Sequence, residues 1–75
     1  MNVKLLKALL ANYEAEYLKS EALLDNYLNN SVGIGEHPDI VVECVKIIDQ
    51  MDHAKHCIDL LKSKFEKELT SKTPF

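Results

Sequence analysis

The residues of this chain best suited to chemistry crowd into one stretch, DQMDHAKHCID, residues 49 to 59. Asp49, His53 and Cys57 follow at four-residue intervals, and Asp52 and His56 form a second such pair. On a helix that spacing stacks side chains on one face, and His, Cys and Asp all bind zinc and other transition metals. Two features count against a metal. The apolar periodicity assigns His53 and His56 to the outer face, away from Met51, Ala54 and Ile58. A structural zinc site also wants four converging ligands, and residues 1 to 30 bring no His or Cys. The expectation is a solvated face of carboxylate–His pairs, with no resident metal or other cofactor. Metal shared across an interface is the alternative.

Cys44 and Cys57 are thirteen residues apart on one helix, roughly 20 Å, beyond disulfide reach within a chain. Cys44 falls among apolar positions, as a small buried hydrophobe does; Cys57 falls on their flank, where a thiol could meet a symmetry mate. His56 adjoins Cys57 in sequence and therefore does not face it, so no Cys–His nucleophile pair oriented by a third group is expected. Tyr13, Tyr17 and Tyr27 read as packing residues, with base stacking as the alternative. The Gly33–Ile34–Gly35 run lacks the preceding strand and the Gly-Lys-Ser/Thr of a phosphate loop. Glu36 and His37 have acid–base chemistry, but a two-helix turn has no concave pocket behind it. No catalytic residue is expected, and the chain reads as non-enzymatic.

The elements that position these residues follow from periodicity. Val3, Leu6, Leu10, Tyr13, Tyr17, Ser20, Leu24 and Tyr27 alternate spacings of three and four, as do Ile40, Cys44, Ile47, Met51, Ala54, Ile58, Leu61 and Phe65. A repeat averaging 3.5 residues means two helices crossing at a shallow angle. The predicted elements are a helix over about 2–30, a turn over 31–37, a helix over 38–69 and a frayed tail over 70–75. In the turn, Gly33 and Gly35 supply chain reversal. His37 is expected as the N-cap, Pro38 in the first helical turn and Asp39 beside it, favourable to the helix dipole. The fold class is all-α, an antiparallel two-helix hairpin in one domain. Facing residues add to about 68, which sets large against small at Tyr13–Ala54 and at Ser20–Ile47, as interdigitating cores require.

A hairpin has one seam and two open sides. Its apolar stripes are wider than one seam, which predicts self-association into an antiparallel homodimeric four-helix bundle. The expected interface residues are Leu9, Tyr13, Tyr17, Leu23, Val41, Val45 and Ile48; a host or virion protein on the same face is the competing occupant. Charge favours the antiparallel choice. Residues 12 to 54 hold nine acids and two lysines, while the remaining residues hold seven lysines and three acids. The rod thus has an acidic loop end and a basic open end. All nine basic residues are lysine. Without arginine, the usual bidentate reader of phosphate and bases, nucleic-acid binding by the lysine-rich end is the lesser alternative. The N-terminal apolar run, broken by Lys4 and Lys7, is too short for a signal or membrane span, so a reducing cytoplasm is the expected setting.

The segment NYLNNSVGIGEHPDIVVECVKIIDQMDHAKHCIDLLKSKF, residues 26 to 65, resembles the second half of small helical-hairpin proteins of large tailed phages, including cyanophages. The likeness is most specific at the Val-Gly-x-Gly-Glu-His-Pro-Asp-Ile turn, Val32 to Ile40. It departs at His53, His56 and Cys57, where ordinary charged residues would serve. The resemblance implies a short accessory or host-modulating protein in the host-cell cytoplasm or the virion. It carries over no assigned activity and no binding residue.

Overall fold

A computed structural model of the chain describes residues 1–29 and 39–70. It contains α1 (Val3–Asn29), α2 (Ile40–Lys64) and α3 (Glu66–Thr70), with α1 and α2 packed along their length. One groove between them joins Glu14, Tyr17 and Leu18 to Lys55, Ile58 and Lys62, and another joins Lys19 and Leu23 to Asp49 and Gln50. Rising numbers on α1 meet falling numbers on α2, so the helices are antiparallel. The expected all-α hairpin is the observed fold. It is a rod of 52 × 18 × 14 Å, with a radius of gyration of 16.4 Å against about 11 Å for a globular chain of this length.

The seam follows the heptad positions. Leu6, Ser20, Ile47 and Ala54 are buried, and the other described seam residues, from Leu10 and Tyr13 to Ile58, Leu61 and Phe65, are half-buried. Ala54 is 0% exposed, at the point where the register sets it against a tyrosine. No buried side-chain nitrogen or oxygen among the described residues lacks a hydrogen-bond partner.

Local chemistry sets the ends. Asn2 Oδ1 accepts a 2.9 Å hydrogen bond from the Leu5 N–H, satisfying one of the donors that the first helical turn leaves orphaned. At the other end of α1, Asn29 Nδ2 donates to the Asp25 carbonyl at 2.8 Å. Asp39 occupies the cap position of α2 with no side-chain cap hydrogen bond, one residue before the first-turn place expected for it. Gly33, Gly35, His37 and Pro38 lie outside the described residues.

The continuous helix expected over 38–69 is divided at Phe65, whose φ of −119° and ψ of 36° leave the helical region. Its N–H still donates to the Leu61 carbonyl at 3.0 Å, and its own carbonyl accepts from Leu69 at 2.9 Å. The register explains the bend. Phe65 matches Val3, the first residue of α1, so a straight continuation would run past the end of its partner. After the bend, α3 still packs on α1 and Leu69 is half-buried.

Candidate functional site

Residues seven apart share a face of each helix, so the hairpin has two flanks beside its seam. Leu9, Glu16 and Leu23 form one α1 row. Across the groove from it lie Gln50 and His53 of α2. On the opposite flank, Val41 and Ile48 continue into Lys55 and Lys62, and Val45 continues into Asp52 and Asp59. That row borders the groove containing Glu14, Tyr17 and Leu18. Both flanks expose large apolar side chains: Leu5, Leu9, Leu23 and Leu60 on the His53 flank, and Leu18, Leu28, Val41, Val45 and Ile48 on the other. The seven expected interface residues therefore divide. Leu9 and Leu23 belong to one flank, Val41, Val45 and Ile48 to the other, and the half-buried Tyr13 and Tyr17 belong to the seam. A single flat interface cannot take them all.

At mid-rod on the first flank, three side chains converge. Cys57 Sγ lies 3.7 Å from His53 Nε2, one helical turn away. The Tyr13 ring meets the His53 ring edge-on, with centroids 6.2 Å apart and planes at 71°. The neighbouring Cys57 sulfur first, then partial burial and the Glu16 carboxylate, hold the Tyr13 phenol above its ordinary value of 10.0.

His53 is exposed, as the periodicity assigns it, and its ring also packs against a residue of α1. The physical reason is reach. His53 sits on the flank of the seam, where a tyrosine from the facing helix spans the gap. Sequence adjacency pointed only to His56 as a partner for Cys57; the structure instead sets His53, one turn earlier, beside that thiol. The sequence held a signal for this: the same register that pairs Tyr13 with Ala54 or Lys55 places it between His53 and Cys57. His56, exposed on another row, takes no part.

Asp49, one turn before His53, borders the same groove with Gln50, Glu16 and Lys19. The groove is open and holds roughly 510 Å³. Among the described residues, no group of three or more His, Cys, Asp and Glu side chains is gathered closely enough to hold a metal ion. One chain thus brings two adjacent soft ligand atoms together and no third. Both cysteines are free thiols, each half-buried. On the surface of α2, Lys46 Nζ lies 3.4 Å from Glu43 Oε1, an ion pair between neighbouring turns.

No family model, curated protein or solved structure matches the chain. No helix among the described residues is long and apolar enough to cross a membrane.

Proposed function

We propose that this protein is a small, non-catalytic interaction module whose first partner is a second copy of itself, packed antiparallel. One observation carries the proposal. On the described helices Leu5, Leu9, Leu23 and Leu60 stand exposed along one flank, an apolar row that a lone hairpin leaves in water and a second copy would cover.

The arrangement of apolar side chains favours the His53 flank for this contact. Leu5, Leu9 and Leu60 lie in its open half and Leu23 in its loop half, so a reversed copy sets leucine toward leucine. On the opposite flank, Leu28, Val41, Val45 and Ile48 gather near the loop, where a fully overlapped reversed copy would bring Lys4 and Lys62. Charge polarity supports the same orientation. α2 obeys its dipole, with Glu43 in the first turn and Lys62 and Lys64 in the last. α1 has no acid in its first turn and no base in its last, and Lys4 stands where an acid would stabilise it. The polarity of the rod therefore costs α1 some stability, which an antiparallel partner offsets.

Sedimentation of the full chain tests the proposal. A dimer at micromolar concentration is expected, and a folded monomer there overturns it. A second role, docking a larger protein surface as a host-directed or virion accessory factor, is favoured by the loop-half patch: Val41 is 68% and Val45 52% exposed. Val45→Glu is expected to leave the dimer intact while abolishing such docking. Dissociation of the dimer by Val45→Glu would instead assign that patch to self-association.

A further inference from the structure

We infer that His53 and Cys57 form half of a zinc-class metal site, which the same two residues of a second copy complete as a tetrahedral His₂Cys₂ centre on the dimer axis. The inference rests on the antiparallel dimer proposed above and adds what holds its centre.

The ligand spacing comes first. Zinc binds thiolate at about 2.3 Å and imidazole at about 2.0–2.1 Å, so a tetrahedral angle separates the two donor atoms by about 3.6 Å. Cys57 Sγ and His53 Nε2 stand 3.7 Å apart. One ion could take both with almost no movement of either side chain, and a thiolate with an imidazole is a donor set that favours zinc over hard cations such as magnesium. The pair is reachable, since His53 is exposed and Cys57 half-buried.

Symmetry comes second. Two hairpins packed face to face and antiparallel are related by a twofold axis crossing the rods, which stacks α2 on α2 of the other copy. An axis through the metal pair brings its own symmetry mate opposite it, so two ligands become four. Such an axis does not waste the rod. The central residue of α2 is Asp52, one position from His53, so the two copies overlap along nearly their whole length. Among the described residues no third ligand joins the pair, so the second copy supplies the other two.

The surroundings come third. Ligated thiolates and imidazoles are oriented by groups just beyond them. Tyr13 supplies this from α1, through the edge contact of its ring with the His53 ring. Tyr13 is thus a positioning residue and ligates nothing.

The test uses the full chain freed of metal with a chelator, then titrated with Zn²⁺, and with Co²⁺ as a spectroscopic probe. The expected result is one metal per two chains, a tetrahedral Co²⁺ spectrum with a thiolate charge-transfer band, and a dimer at least roughly tenfold tighter with metal than without. Cys57→Ser and His53→Gln should each abolish uptake, and Cys44→Ser should not. Tyr13→Ala, which removes the ring packed on His53, should preserve the stoichiometry and weaken binding by roughly tenfold. One metal per chain, an octahedral spectrum, or uptake unchanged in both Cys57→Ser and His53→Gln overturns the inference. Sedimentation in chelator separates the two proposals. A chelator-stable dimer that takes up no metal removes the metal site alone, whereas a monomer with and without metal removes the dimer as well.

Discussion

Tyr13 shows how much one side chain can report about a two-helix protein. Its phenol belongs to α1, yet the groups that shift it, Cys57 first, belong mainly to α2. A phenol held above its unfolded value keeps its proton more firmly in the folded chain. It therefore contributes stability below pH 10 that is lost as pH rises through the folded value. Of the three tyrosines, one is expected to ionise late in an absorbance titration, and Tyr13→Phe should remove that late phase. Unchanged late titration in Tyr13→Phe would mean that the late phase does not belong to Tyr13. Ala54 reports the seam in the same way. At 0% exposure it has no room for added methylenes, and Ala54→Leu should cost about 1–3 kcal/mol, read as a lower thermal midpoint at fixed protein concentration.

At the scale of the elements, the two long helices form for different reasons at their ends. α1 begins at a side-chain cap, so Asn2→Ala should cost about 1 kcal/mol, visible as faster amide exchange across residues 3 to 6. α2 begins without one and draws its definition from the seam. The bend at Phe65 marks where the seam ends, and α3 is the remainder of the chain turned to stay on α1. The heptad pattern showed which positions meet. It did not show the bend, because periodicity continues through Phe65 and Leu69 whether or not a partner helix is present. Only the length of α1 decides that.

For the whole molecule, the decisive quantity is unsatisfied surface. A rod of this width buries four of its described residues below a tenth exposure, so its stability and its association are coupled. If opposite rod ends attract, the dimer should weaken as salt rises toward 1 M, where screening acts within about 3 Å. Lys4→Glu separates this from helix-dipole effects. The change places an acid in the first turn of α1 and should favour that helix by about 0.3–1 kcal/mol, while raising the dissociation constant measured by sedimentation. A tighter dimer in Lys4→Glu would mean that the dipole gain in α1 outweighs the attraction between opposite rod ends.

The residue pattern alone determined the helical class, the antiparallel pairing, the register and the charge polarity, because each depends on periodicity and on order along the chain. Tertiary structure decided what depends on two helices at once. It divided Leu9 and Leu23 from Val41, Val45 and Ile48, since a flank exists only after the seam is closed. It also made the exposed His53 a neighbour of Tyr13 and Cys57. A heptad position says how far a side chain stands from the seam, but not how far a tyrosine on the facing helix can reach.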